Sequence, residues 1–267
     1  MAREKTRRST GRRSPWAAAA LIGLGLLVTG GIYAGASAAM AATDDTTQAS
    51  STLTVEDGKK LFQANCATCH GLDLQGTADG PSLFGVGELA VEFQMATGRM
   101  PLQMQGPQAP QKPVQFTQDQ ILAISAWVQS TSPGPTFPSD EVLDGEGNVS
   151  HGAELFRINC AMCHNVAAAG GALTEGKYAP GLQGTSALHM YAAMVTGPQN
   201  MPVFSDMNLS LEEKRDIISA LLFIQENQSP GGFSLGSLGP VSEGLFIWIF
   251  GIGGLIALTV WITAKSN

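Results

Sequence analysis

A 13-residue segment that occurs twice constrains this chain more than any other feature. Residues 58–70 read Gly-Lys-Lys-Leu-Phe-Gln-Ala-Asn-Cys-Ala-Thr-Cys-His, and residues 152–164 read Gly-Ala-Glu-Leu-Phe-Arg-Ile-Asn-Cys-Ala-Met-Cys-His. Eight of the 13 positions are identical, at an offset of 94. Later landmarks recur in the same order. Gly80-Pro81-Ser82-Leu83 is echoed by Ala179-Pro180-Gly181-Leu182, and Thr97-Gly98-Arg99-Met100-Pro101 by Thr196-Gly197-Pro198-Gln199-Asn200-Met201-Pro202. Ile124-Ser125-Ala126-Trp127-Val128-Gln129 matches residues 218–225 with two residues added. Self-similarity of this kind means that one small unit is built twice. The units are expected at 52–131 and 147–228. Residues 131–148 join them, with Pro133, Pro135 and Pro138 stiffening the first half.

Each unit is expected to open on a helix. Thr54 is placed to cap the first, with Asp57 in its first turn and Leu61 and Phe62 on the apolar face. A Gly- and Pro-rich middle reads as loop, and an amphipathic helix closes each unit at about 117–129 and 210–226. No period-2 strand stands out, so the fold class is all-α with long loops. Units of this size bury a marginal core, and long loops without structure of their own are uncommon in compact domains. A large apolar cofactor at the centre resolves both difficulties.

All four cysteines fall in the repeated segment, as Cys66-Ala67-Thr68-Cys69-His70 and Cys160-Ala161-Met162-Cys163-His164. Cys-x-x-Cys-His is the attachment signature of c-type haem. Two thiols three residues apart, on one helical turn, add to the two vinyl groups, and the following histidine supplies an axial imidazole. The alternatives are a zinc site shared by the two pairs, or a redox disulfide. Neither accounts for the histidine after both pairs or for the duplicated landmarks downstream. Two covalently bound haem c groups are therefore expected, with His70 and His164 on the iron.

A methionine on the opposite side fills the last iron position and raises the potential. Met100 and Met201 are expected there: each stands before Pro and after Thr-Gly, 30 and 37 residues beyond its histidine. Met95 and Met104 compete in the first unit, and Met190, Met194 and Met207 in the second. His151, just before the second attachment helix, and His189, without a counterpart in the first unit, are the remaining histidines. With both axial positions filled, no open position remains for a substrate, so electron transfer is favoured and no catalytic residue is assigned. Pro81 and Pro180 sit where a loop carbonyl can hydrogen-bond the axial histidine; an ordinary turn proline is the alternative.

The ends are apolar. Six basic residues fall in the first 13 positions against one acid, and the next 30 residues carry no charge. Residues 1–42 thus read as a basic tip with a membrane anchor, or as a cleavable signal peptide ending near Ala36-Ser37-Ala38 or Ala39-Met40-Ala41. Residues 244–264 read as a C-terminal transmembrane helix, with Trp248 and Trp261 near its ends and Lys265 after it. The positive-inside rule puts both termini in the cytoplasm and the body outside. Between 43 and 243 there are 8 basic and 21 acidic residues, net −13. An acidic body of this kind makes a nucleic-acid surface unsuitable.

Each unit resembles a class I cytochrome c domain: attachment helix, long loops carrying a Met-Pro ligand, closing helix. The whole arrangement, two tandem units between two membrane segments, resembles the dihaem cytochrome c subunit of the actinobacterial cytochrome bc1 complex, a menaquinol–cytochrome c reductase. That resemblance implies a multi-pass plasma-membrane protein with its haem domains on the extracytoplasmic side. It implies cytochrome b and the Rieske iron–sulfur protein as partners in the same complex, and an aa3-type cytochrome c oxidase as electron acceptor. An independent tethered dihaem carrier, an electron-entry subunit of another oxidase or dehydrogenase, and a dihaem peroxidase are the rival readings.

Overall fold

The computed structural model describes residues 23–25, 27–28, 53–227 and 240–265. The helices of the first repeat are α1 (Val55–Asn65), α2 (Ala67–His70), α3 (Gly87–Ala96) and α4 (Gln118–Thr131). After α5 (Asp140–Leu143), the second repeat runs α6 (Val149–Asn159), α7 (Ala161–His164), a two-residue antiparallel pair β1 (Gly171–Ala172) and β2 (Tyr178–Ala179), α8 (Ala187–Thr196) and α9 (Leu211–Glu226).

Side-chain caps set the helix starts. Thr54 Oγ1 accepts from the Asp57 N–H at 3.2 Å, while Asp57 accepts from the Thr54 N–H at 3.1 Å. The same reciprocal box opens α4 with Thr117 and Gln120, and α9 with Ser210 and Glu213. Asn148 caps α6 through the His151 N–H at 3.1 Å.

In each repeat the opening helix packs on the closing helix, and glycine permits the approach. A Cβ on Gly58 would overlap the carbonyl of Ala123, and one on Gly152 the carbonyl of Asp216. Phe62 and Phe156, at matching positions, are 2% exposed and anchor the two cores. In the first, Phe62 lies 4.7 Å from the ring of Trp127.

The middle of each unit is not all loop. Helices α3 and α8 occupy the same place in the two repeats and pack against each other. Leu89, Phe93 and Ala192 form a buried seam, flanked by Leu188 and Tyr191. These helices escape a period-3.6 reading because they are apolar on more than one side. Val91 and Met95 face their own core while Leu89 and Phe93 face the other repeat.

Two further departures are local. The β1–β2 ladder is closed by a 3-10 turn at Thr174–Gly176, and two pairs of residues are too few to leave a period-2 pattern. The linker also folds onto its neighbours: the Leu89 N–H donates to Pro135 O at 3.2 Å, and Val142 of α5 enters the second core.

At the C-terminus, α10 (Pro240–Phe246), a π-helical turn (Ile247–Ile252) and α11 (Gly253–Lys265) make one continuous apolar helix. Its stretch Ser242–Ala264 is 23 residues, long enough to cross a bilayer, and unburied. The expected N-terminal anchor lies outside the described residues, except that 23–25 and 27–28 are helical.

Candidate functional site

Both attachment segments are built the same way. Cys66 closes α1 and Cys160 closes α6, and in each case the chain bends and restarts as a single turn. The N–H groups of Cys69 and His70 donate to Cys66 O at 3.1 and 3.0 Å; those of Cys163 and His164 donate to Cys160 O at 3.1 and 2.9 Å. Two thiols and an imidazole are thereby held on one turn. None of the four cysteines is paired in a disulfide, and burial, helped by the second thiol of each pair, pushes the thiols of Cys66 and Cys160 up to about 11. Thiols so protonated at neutral pH are poor redox nucleophiles. Among the described residues, no group of three or more His, Cys, Asp and Glu side chains is placed to hold a metal ion, so the two pairs are not gathered into one zinc site.

The histidines are locked by the prolines. His70 Nδ1–H donates to Pro81 O at 2.8 Å, and His164 Nδ1–H donates to Pro180 O at 3.0 Å. A carbonyl oxygen only accepts, so Nδ1 carries a proton, and Nε2 is the nitrogen left for an iron. Burial holds His164 below the ordinary histidine value, against the opposing effect of its Pro180 bond. The loop that brings each carbonyl round is tied alike. Leu83 N–H donates to Leu74 O and Leu182 N–H to Ala168 O, both at 2.8 Å. The spacing from histidine to proline differs, 11 against 16 residues, and the β1–β2 hairpin absorbs the difference.

Met100 packs against the apolar cluster that also contains Cys66, and Met201 against the cluster that contains Cys160. The competitors separate clearly. Met104 and Met207 stand 73% and 96% exposed, whereas Met95, Met190 and Met194 are buried on α3 and α8. Met95 and Met194 are themselves a matched pair, so matching position alone does not single out Met100 and Met201. What separates them is placement: one pair lies inside helices as core, the other on the loops that follow.

The two remaining histidines are engaged elsewhere. His151 lies within the first turn of α6, not before it, and its Nδ1 meets Asp216 Oδ2 at 2.8 Å. His189 Nε2 faces Glu92 Oε1 at 3.4 Å, across the boundary between the repeats. Glu92 was not legible as an interface residue, although one acid inside the apolar run Leu89-Ala90-Val91-Glu92-Phe93 is the kind of signal that marks a buried pair.

A thiol pair on one turn, an oriented imidazole and a thioether packed on the same apolar cluster, present twice, form a donor set that fits haem c in each repeat.

Comparison with known proteins agrees with this geometry. Residues 55–132 match the family model for cytochrome c, and residues 147–219 match that for cytochrome c oxidase, cbb3-type, subunit III. The chain is 47% identical over 281 residues to the cytochrome bc1 complex cytochrome c subunit of Corynebacterium efficiens, covering 98% of this chain and 93% of the relative. It is 47% identical over 224 residues to the protein of the same name from Mycobacterium tuberculosis, covering 81% and 80%. The Mycobacterium leprae protein of that name is 44% identical over 254 residues, covering 91% and 88%. With two cytochrome c domains and an apolar C-terminal helix, the chain belongs to the cytochrome c subunits of the cytochrome bc1 complex, dihaem electron-transfer proteins of the membrane.

Proposed function

We propose that the chain relays electrons through its two repeats in series, from the Rieske iron–sulfur protein of its own complex, beside cytochrome b, to an aa3-type cytochrome c oxidase. Haem c, held by thioethers at Cys66 and Cys69 and at Cys160 and Cys163, supplies reversible one-electron exchange at iron. His70 with Met100, and His164 with Met201, would hold the two irons. The carbonyls of Pro81 and Pro180 fix the tautomer and orientation of the two imidazoles. Met100 and Met201 are each half-buried against the apolar cluster of their own repeat. The α3–α8 seam holds the repeats together, so that neither has to find the other by diffusion.

The observation that carries this reading is the twofold occurrence of one arrangement: thiol pair, histidine, proline carbonyl. The apolar stretch Ser242–Ala264 followed by Lys265, and the basic N-terminal tip, support a multi-pass arrangement with both ends in the cytoplasm and the repeats outside the plasma membrane.

The test is oxygen uptake with a menaquinol analogue on a gently solubilised, tagged assembly, across an ionic-strength series. A body of net −13 attracts a diffusing basic carrier strongly, and salt screens that attraction within about 8 Å at physiological strength. A relay fixed in the assembly needs no added cytochrome c and loses little rate in moderate salt. Strict dependence on an added soluble cytochrome overturns the series relay in favour of an independent carrier.

A further inference from the structure

Arg99, directly before Met100, is 8% exposed. Its guanidinium carbon sits 5.3 Å above the ring of Phe93, a member of the α3–α8 seam. Among the described residues, no carboxylate or carbonyl accepts a hydrogen bond from its side chain. The ionisable group near enough to act on its charge is Tyr178, a phenol and not a carboxylate. The nearby Lys112 is different: its ammonium donates to Gly98 O at 3.2 Å and also to Pro101 O, so it straps the segment that carries Arg99 and Met100. The other deeply buried cation, Lys214, is likewise satisfied, by Asp206 Oδ1 and Leu209 O, both at 2.6 Å. The guanidinium nitrogens are not sealed off, and a planar guanidinium with no acceptor from the chain itself matches a carboxylate.

We propose that Arg99 is the counter-ion of a haem propionate in the first repeat, and that it holds the potential of that haem above the value it would otherwise have. The inference rests on the assignment of haem c to Cys66, Cys69 and His70. Haem brings two carboxylates that the polypeptide does not supply, and Arg99 adjoins the methionine assigned to the same iron. Adding one electron to iron lowers the charge of the site by one, so a fixed cation favours the reduced form. The second repeat lacks the device: the residue before Met201 is Asn200, which is uncharged and exposed. The two haems therefore sit in different fields although their donor sets are the same.

The experiment is a redox titration of the c-type haems in the intact membrane assembly, comparing wild type, R99Q and R99K, with haem content measured by pyridine haemochrome. R99Q is expected to shift the first haem's reduction equilibrium by about tenfold towards the oxidised form, a fall of about 59 mV for one electron. R99K keeps the charge but loses the fork, and is expected to fall between the two. The second haem stays where it was. Repeating R99Q in a Met201→His background, where the second haem's potential is moved down and away, identifies which haem shifts. Unchanged potentials in R99Q, or a shift in the haem governed by Met201, overturn the proposal. If R99Q fails to retain its haem, R99M decides: a downward shift of the first haem relative to R99K supports the proposal and equal potentials in the two variants overturn it. One haem per wild-type chain would instead defeat the haem assignment itself.

Discussion

Glu92 and His189 meet across the boundary between the repeats, 3.4 Å from Oε1 to Nε2, with the Glu92 side chain only 3% exposed. Oε2 of Glu92 has no partner among the described residues, and the Gln118 amide reaches Oε1 at 3.5 Å. The carboxylate therefore depends on an imidazole from the other repeat, whose ring also lies edge-on to Phe93 at 5.8 Å.

Replacing His189 by Leu strands that carboxylate. The expected loss is about 1–3 kcal/mol in the docking of the repeats, the usual cost of leaving a buried polar group without a partner. Hydrogen exchange should rise along α3 and α8 while the core around Phe62 stays protected. The double variant E92L/H189L should recover much of the loss, because no carboxyl group is left buried without its partner. A double variant as loose as H189L shows that the pair does not carry the docking.

The glycine crossings give a second test. Gly152→Ala drives a methyl group into the Asp216 carbonyl, and Gly58→Ala drives one into the Ala123 carbonyl. Each should destabilise its own repeat by about 1–3 kcal/mol, the range for overpacked sites. Gly106→Ala is the control, since its Cβ would meet nothing nearer than 3.8 Å. Denaturant midpoints of the three variants decide; equal midpoints for G152A and G106A would refute the crossing as drawn.

The hydrogen bond to Asp216 raises His151 above the ordinary histidine value. A group whose value is raised on folding contributes stability that is complete below its unfolded value, near 6.5, and that disappears as pH rises through the folded one. The second repeat should accordingly melt higher at about pH 6 than at about pH 8. His151→Gln should flatten this part of the profile. Melting followed at the second haem, with and without the substitution, makes the comparison.

The axial assignments predict spectra as well as potentials. Replacing Cys66 and Cys69 together should remove one haem per chain, read from the mass of the denatured protein, and leave the repeat around Cys160 and Cys163 loaded. Met100→His should lower the potential of the first haem. Met201→Leu should abolish the weak far-red absorbance of one iron–sulfur bond and move that haem's potential. An unaltered second haem in Met201→Leu rules the ligand out.

The features legible in the sequence were those written in local spacing. Thr54 and Asp57 mark a helix start because capping is a three-residue relation. Cys66, Cys69 and His70 mark a site because one turn brings them together. The proline carbonyls were legible as one of two options, and the 2.8 and 3.0 Å bonds to His70 and His164 decide between them. The α3–α8 seam was not legible. Leu89 and Phe93 face another repeat while Val91 and Met95 face their own, so the helical period is hidden by burial on two sides. The partners of Glu92 and His151 lie 97 and 65 residues away, and no local pattern reports a contact at that range.

The seam between α3 and α8 uses the same face of both repeats. A single-haem shuttle offers one face to its donor and then to its acceptor, and has to let go of the first before it meets the second. Here the shared face is spent on the sister repeat, and what each repeat has left to show the outside is its own. Loop length, the β1–β2 hairpin and the residue before the axial methionine are free to diverge there. In the proposed relay, duplication followed by self-docking turns an alternating handshake into two simultaneous ones, and leaves each side of the molecule free to specialise for a different neighbour.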